Sequence, residues 1–414
     1  MDKKPEKLVP EVRFKGFTDD WEQHKLGEIS FKVNTKNKEN LTLPVLSNSA
    51  EYGIVNQEDY FDKKIANRTD NYYIVKHNDF VYNPRISKKA PYGPIRRNTL
   101  DTKGLMSPLY YVFRINDGNY IYLDYYFKSS KWYKFMYQNG DSGARSDRFA
   151  IKDKIFQMMP INMPNTKEQN KIGQLIQTLQ KLIDLQQRKL EQLKRLKKAM
   201  LQQLFANNNS KQPNLRFKNF KGDWEQCKLG ELIESLFQGI NTAADKVEYS
   251  NNGLPIIQAK NITSGSLDFS GSRKLSVQKY SNYLDKYIPQ KGDILFANIG
   301  TIGPNVILKD TRQFFIAWNI LRIVPQKNIN GEFLKITLDL LNSKHYFEKL
   351  LTGNATKFVN KNDMRNLPIF FSDPEEQNKI SNLFKKLDFL ITLQQNKLTQ
   401  LTTLKKYLLQ KMFI

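Results

Sequence analysis

The sequence predicts an α+β protein: two tandem mixed α/β domains joined by two long helices that pair as an antiparallel coiled coil, giving one chain an internal pseudo-two-fold symmetry. Three observations predict it. A phrase occurs twice, RFKGFTDDWEQHKLGE at residues 13–28 and RFKNFKGDWEQCKLGE at 216–231, identical at twelve of sixteen positions. A Leu-rich segment opening on EQNKI also occurs twice, at 168–205 and 376–413, identical at 22 of 38 positions. The residues between phrase and segment diverge in the two halves but keep a common punctuation. Internal repeats of this kind decide the architecture before any local reading does. They place domains at 1–160 and 209–368 and spacer helices at 161–208 and 369–414.

The totals agree. A chain of 414 residues has room for two or three domains, and 40% hydrophobic residues suffice for packed cores. Lys and Arg number 65 against 41 Asp and Glu, a net charge of +24. Such an excess repels itself when compact and is expected to face a polyanion. The single cysteine, Cys227, stands where the first copy has His24; it excludes an internal disulfide framework and fits a reducing compartment. The opening MDKKPEKLVPEVRF has no apolar run of a secretory signal, and no window reaches the ~18 apolar residues of a membrane span. A soluble, cytoplasmic protein is expected.

The opening phrase is constant frame, expected to join each domain to the helices through its Trp and Leu. After it come the divergent blocks, residues 30–155 and 234–365. LPVL at 43–46 answers LPII at 254–257, and NDFVY at 78–82 answers GDILF at 292–296, an Asp-bearing turn feeding a short apolar strand. LYYVFRI at 109–115 answers WNILRIV at 318–324, with Arg114 and Arg322 in register. Each block closes on a Pro-Ile pair, Pro160-Ile161 and Pro368-Ile369. Strands are kept while the loops differ, and loops on a rigid frame are where recognition residues sit.

The loop after the Asp-turn strand reads NPRISKKAPYGPIRR in the first half, offering Asn83, Arg85, Lys88, Lys89, Tyr92, Arg96 and Arg97. In the second it reads ANIGTIGPNVILK, offering Asn298, Thr301, Asn305 and Lys309. A second patch precedes each long helix: SGARSDRF with Arg145 and Arg148, and GNATKFVNK with Lys357 and Lys361. Lys260 and Asn261 complete the candidates. Arg and Lys suit guanine and phosphates, and Asn suits adenine.

The long segments lack Pro and follow a heptad. Ile172, Leu179, Leu193 and Met200 take one core position in the first, and Ile380, Leu387, Leu401 and Leu408 in the second. Leu175, Leu182 and Leu196, answered by Leu383, Leu390 and Leu404, take the other. One core position is polar in both copies, Gln186 and Gln394. Two readings stand for it: the two amides bond to each other in an antiparallel pair, fixing register, or both face solvent at a loose seam.

Catalytic signatures are missing. His24, His77 and His345 have no Cys or carboxylate at ligand spacing, so no metal site is expected. There is no GxxxxGK[ST] phosphate loop and no GxSxG elbow. NPRI at 83–86 lacks the second proline and the aromatic ring of an NPPY box, and FSGSR at 269–273 does not fit an FxGxG loop. A binding protein is favoured.

The chain resembles the specificity subunits of type I restriction–modification enzymes over essentially its full length. The resemblance rests on W-E-x-x-K-L-G-E opening each half (Trp21 to Glu28, Trp224 to Glu231), on the EQxKI start of each long helix, and on the duplicated variable–constant layout. It implies that each variable block is a target recognition domain reading one half of a bipartite, asymmetric DNA sequence. It implies that the helices form a spacer and dock two modification (methyltransferase) subunits, and that restriction subunits complete the complex. The chain itself would be non-catalytic and hold no cofactor; S-adenosylmethionine, ATP and Mg would belong to the partners. Three rivals remain open on the sequence: a stand-alone bipartite DNA-binding regulator, a nuclease with an unfamiliar site, and a basic coiled-coil scaffold.

Overall fold

The computed structural model describes residues 8–62, 68–141, 147–206, 210–263, 265–353 and 356–414. The chain forms two compact units, Met1–Arg188 with Gln395–Ile414, and Lys189–Gln394. The long helices are there, Thr166–Gln203 and Pro374–Lys411. The division between units falls inside both of them, so each unit holds one recognition block and a piece of each helix, rather than following the linear order of domain and spacer.

The two units share one internal plan. In the first, a four-stranded antiparallel sheet runs in the order Ser30–Lys32, Tyr111–Ile115, Phe80–Tyr82, Ile95–Arg97. In the second, the order is Ile233–Gln238, Ile320–Pro325, Ile294–Ala297, Asn305–Ile307. The two inner strands of each sheet are those that the shared punctuation marks; the edge strands Ile95–Arg97 and Asn305–Ile307 lie within stretches read from sequence as loops. A second sheet in each unit carries a parallel pair, Val45–Ser49 with Gly104–Met106 and Leu254–Ile257 with Phe315–Ile316. The registered Asp and Arg are one ion pair in each copy. Arg114 donates to both carboxylate oxygens of Asp79 at 2.6 and 2.9 Å, and Arg322 Nε to Asp293 Oδ2 at 2.6 Å. The same aspartates close their turns, accepting from the Lys76 and Gln290 amides at 2.7 Å.

The repeated phrases are neighbours of the repeated helix starts. Strand Glu22–Lys25 pairs with Pro160–Met163, and Glu225–Lys228 with Pro368–Phe371, in matching registers. Each letter of EQNK then has a duplicated partner. Glu168 and Glu376, buried, receive bidentate bonds from Arg13 (2.8 and 2.8 Å) and Arg216 (2.8 and 2.9 Å). Gln169 and Gln377 bond back to the carbonyls of Pro164 and Ser372 at 2.8 and 2.6 Å. Asn170 and Asn378 accept from Asn119 and Asn330, the N-caps of helices Tyr120–Lys128 and Gly331–Ser343. Lys171 lies over the Phe17 ring at 5.0 Å and Lys379 over Phe220 at 4.6 Å. The repeated Arg of the phrase and all four residues of EQNK therefore have the same kind of partner in both copies.

Within each unit the helix pieces run antiparallel. In the first, Ile172, Ile176 and Leu179 share a core with Leu408, Met412 and Phe413, and Lys405 Nζ donates to Gln180 Oε1. In the second, Leu201, Leu204 and Phe205 share a core with Ile380, Phe384 and Leu387, and Lys197 pairs with Asp388 at 2.6 Å. Trp21 joins the first core and Trp224 the second, both buried, as expected of the opening phrase. Leu179 and Leu387 are buried, and Leu193 and Leu401 half-buried. Gln186 is buried and Gln394 half-buried.

One expectation fails. The second heptad position is covered only at the start of each helix: Leu175 and Leu383 are half-buried against their units' cores, whereas Leu182, Leu196, Leu390 and Leu404 are 39 to 44% exposed. Among the described residues no helix is long and apolar enough to cross a membrane, and no group of His, Cys, Asp and Glu could hold a metal ion.

Candidate nucleic-acid interface

The recognition loop of the first unit is built on buried amides. Asn48 Nδ2 donates to the carbonyls of Val81 (2.7 Å) and Pro94 (3.1 Å), tying both ends of the loop together. Asn83 Nδ2 donates to Asn48 O at 2.9 Å, and its Oδ1 accepts from the Arg85 amide at 2.9 Å. Gly93 sits at φ +83° with Asn83 O 2.1 Å from where a Cβ would be, so only glycine closes this loop.

The loop then meets the second basic patch of the same half. Arg85 and Arg148 face each other in an isolated antiparallel bridge. The Ile86 amide donates to Asp147 O at 3.0 Å and the Phe149 amide to Pro84 O at 2.8 Å. Two sequence-distant patches are thus joined through their backbones, with Arg85 and Arg148 as bridge partners. Asp147 reaches Arg85 only at 3.8 Å, and both are exposed, so it offsets little of the charge. Arg145 lies outside the described residues.

A cleft of about 460 Å³ opens beside this surface, with Arg85, Lys88 and Lys89 on one side and Glu51, Tyr60 and Phe61 on the other. Lys89 spans it to Glu51 at 2.8 Å. Tyr60 packs on Phe61 at 4.8 Å and on Tyr52 at 5.9 Å, leaving three adjoining rings largely open to solvent. The sequence reading missed these rings. Their signal was a YF doublet in the polar stretch QEDYFDKK, where no apolar period calls for it. Tyr110 is also at this cleft; burial raises its pKa, with Arg85 and Arg148 pulling the other way, so its hydroxyl stays a neutral donor.

The second unit repeats the frame with other chemistry. Ile299 and Phe358 take the places of the paired arginines in an isolated antiparallel bridge. The Val359 amide donates to Asn298 O and Asn298 Nδ2 to Val359 O, both at 3.0 Å. Gln238 Nε2 donates to Asn298 Oδ1 at 3.1 Å and also to Trp318 O. Trp318, in the turn before strand Ile320–Pro325, is 40% exposed; the sequence places it in a strand and gives no signal of a contact residue.

The candidates therefore divide. Arg85, Lys88, Lys89, Lys260, Thr301, Lys309, Lys357 and Lys361 are exposed, and Arg148 is half-buried. The asparagines are not offered to a partner: Asn83 and Asn298 tie loops as described, Asn261 Nδ2 donates to Asp268 O at 2.8 Å, and Asn305 Nδ2 to Asp339 Oδ1 at 2.9 Å. A buried amide must be hydrogen-bonded, and a short side chain at a loop base does that work best. Arg96 donates to Ala50 O and Arg97 to Asn78 Oδ1, both at 2.7 Å. Tyr92 packs between Tyr133 and Phe149, each at 5.2 Å. Lys309 lies at a different cleft, beside Glu332 at 3.9 Å.

Comparison with known proteins gives a consistent match. Residues 18–195 and 221–403 match the family described as the type I restriction modification DNA specificity domain, once per half. The chain is 25% identical over 265 residues to the type I restriction enzyme MjaVIII specificity subunit of Methanocaldococcus jannaschii, covering 62% of this chain and 61% of that protein. It is 25% identical over 285 residues to the EcoBI specificity subunit of Escherichia coli, covering 64% and 59%. The alignments thus span about three fifths of these relatives' length. Among solved structures it superposes on the type I restriction-modification S subunit from M. genitalium (TM-score 0.59, 14% identity, 98% and 99% of the two chains). A chain from a study of type I R-M complex assembly gives a TM-score of 0.57 at 15% identity, covering 94% and 96%.

Proposed function

The chain belongs to the type I restriction modification DNA specificity family, and from that premise we propose that it is the non-catalytic, cytoplasmic subunit that selects the DNA sequence for a methyltransferase and restriction complex. Each unit reads one half of an asymmetric, bipartite target. One observation carries this reading: the same strand frame and the same loop-to-loop bridge hold Arg85 with Arg148 in one unit and Ile299 with Phe358 in the other. A common frame with unlike contact chemistry is what two readers of different half-sites require. Arg85, Lys88, Lys89 and Arg148 supply phosphate and guanine contacts in the first. Thr301, Lys357 and Trp318 line the second, with Lys260 and Lys361 as further phosphate contacts. S-adenosylmethionine, ATP and Mg are assigned to the partner subunits, and none to this chain.

Replacing residues 30–155 by the corresponding block of another family member tests it. Mapping modified adenines in cells that carry the hybrid and its partners is expected to show one half of the target changed and the other unchanged. A target that changes in both halves, or in neither, overturns the reading. A narrower test removes Tyr60 and Phe61 together as alanines. Modification is expected to relax at one or two positions of the first half-site, since loss of a good base contact costs about 1–3 kcal/mol of discrimination; an unchanged modification map would remove these rings from the readout.

A further inference from the structure

The second unit contains a cleft of about 750 Å³ lined by its helix pieces and its recognition domain, the latter including Lys309 at the end of the recognition loop. Six lysines line it: Lys194, Lys197 and Lys198 from the first long helix, Lys385 from the second, and Lys309 and Lys335 from the domain. Two carboxylates line it with them, Glu332 and Asp388. Lys197 is paired with Asp388 at 2.6 Å, and Lys335 with Asp339 at 2.6 Å. Lys385 and Lys309 share the one carboxylate of Glu332, at 3.6 and 3.9 Å. Among the described residues no ion pair holds Lys194 or Lys198. Four exposed ammonium groups therefore face one carboxylate, and clefts focus such a field.

The first unit lacks this cluster although its frame is the same. At the matching positions of the repeat, Lys194 becomes Thr402, Lys385 becomes Gln177, Thr392 becomes Asp184 and Lys335 becomes Asp124. There Lys405, the match of Lys197, is largely buried; desolvation lowers its pKa, with Lys128 adding to that and Asp184 and Asp124 opposing it. The first unit keeps Lys405 and Lys406 and has Lys128 in the place of Asp339, with Arg96 acting on Lys405, so what belongs to the second unit is the set Lys194, Lys385 and Lys335 that completes the all-lysine cluster.

We infer that this cleft is a second polyanion site, holding backbone phosphates of the same duplex whose bases the recognition loops read. The inference rests on the DNA-reading function proposed above. Lysine without arginine is suited to phosphates as point charges, whereas bidentate base recognition favours the guanidinium fork. The site adds affinity and carries no sequence information. It also gives the two halves of the chain unequal grips on the duplex.

The test is the variant Lys194→Gln, Lys198→Gln, Lys309→Gln and Lys385→Gln, with the same four positions as arginine for control, each purified as the full complex with its methyltransferase partner. DNA affinity is measured across salt on target and non-target duplexes. The glutamine variant is expected to flatten the dependence of log K on log[salt] by about 3–4, four phosphates at ~0.9 each. Affinity should fall by the same factor on both duplexes, with modified sequences unchanged, and the arginine variant should match wild type. An unchanged salt slope overturns the inference. So does loss of pyrophosphate or ATP binding with an unchanged slope, which would make the ligand a free phosphate compound. A wild-type complex that shows no bipartite preference refutes the reading of the loops, and that result is scored separately from the slope.

Discussion

Alanine at Arg13 is expected to destabilise the first unit by about 3–5 kcal/mol, the range for removing one partner of a buried ion pair. The cost comes from what stays behind. Glu168 is fully buried, and both its oxygens are bonded to Arg13. Without the guanidinium, a carboxylate remains in the core without its counter-charge. Arg13 also donates to Asp19 O at 2.7 Å, so the turn that carries the opening phrase loosens with it. For a unit of this size the loss corresponds to a fall in Tm on the order of 10 °C.

The same change at Arg216 is expected to cost less. Glu376 keeps a donor there, the Trp224 Nε1 at 3.2 Å, whereas Trp21 Nε1 has no hydrogen-bond partner among the described residues. Pairing Arg13→Ala with Glu168→Gln should recover part of the loss, because a neutral amide is less costly to bury than a charge. Thermal and urea unfolding of the purified complex measure all three. A loss under ~1 kcal/mol at Arg13, or equal losses at the two sites, would mean that the clamp does not hold the helix start.

Much of this clamp was legible in the sequence, in a particular way. Repetition marked Arg13, Trp21 and Glu168 together with Arg216, Trp224 and Glu376, but it could not say that they touch. Only the pairing of Glu22–Lys25 with Pro160–Met163, residues far apart in the chain, brings phrase and helix start together. The long helices followed from heptads and duplication, because local periodicity encodes them; their antiparallel sense came from the family resemblance and not from the periodicity. The outer leucines did not. A heptad gives two apolar positions and cannot say how many helices share them.

The loops show the opposite limit. Residue type singled out Asn83, Asn261, Asn298 and Asn305 as base readers, yet the fold ties the first three amides to backbone carbonyls and that of Asn305 to the Asp339 carboxylate. A buried and an exposed asparagine look alike in sequence. The joining of Arg85 to Arg148, and the rings of Tyr60 and Phe61 across the cleft, depend on backbone contacts between distant loops that no periodicity announces.

The exposed leucines carry the second large prediction. In the first unit Lys405 meets Gln180, which puts Leu404 level with Leu182 along the helix pair. In the second, Lys197 meets Asp388, which puts Leu196 level with Leu390. The repeat thus produces the same apolar patch once per unit, with Leu185 and Leu393 extending it. Equivalent patches fit two copies of one partner, and the reading proposed above assigns them to the methyltransferase subunit. Aspartate at Leu182 and Leu404 is expected to release one copy, aspartate at Leu196 and Leu390 the other, and all four changes both copies. Each buried leucine contributes roughly 1.5–3 kcal/mol, so two together weaken binding by about a hundredfold or more. Folding should be spared, since aspartate on an exposed helix face costs no more than about 0.7 kcal/mol. The mass of the co-purified complex reads the outcome directly as two, one or no methyltransferase copies per chain. Two copies retained in the four-fold variant would place the docking surface elsewhere and leave the leucine stripe without a role. Loss of both copies from either two-fold variant alone would mean that the patches are not independent and that the partners bind as a unit.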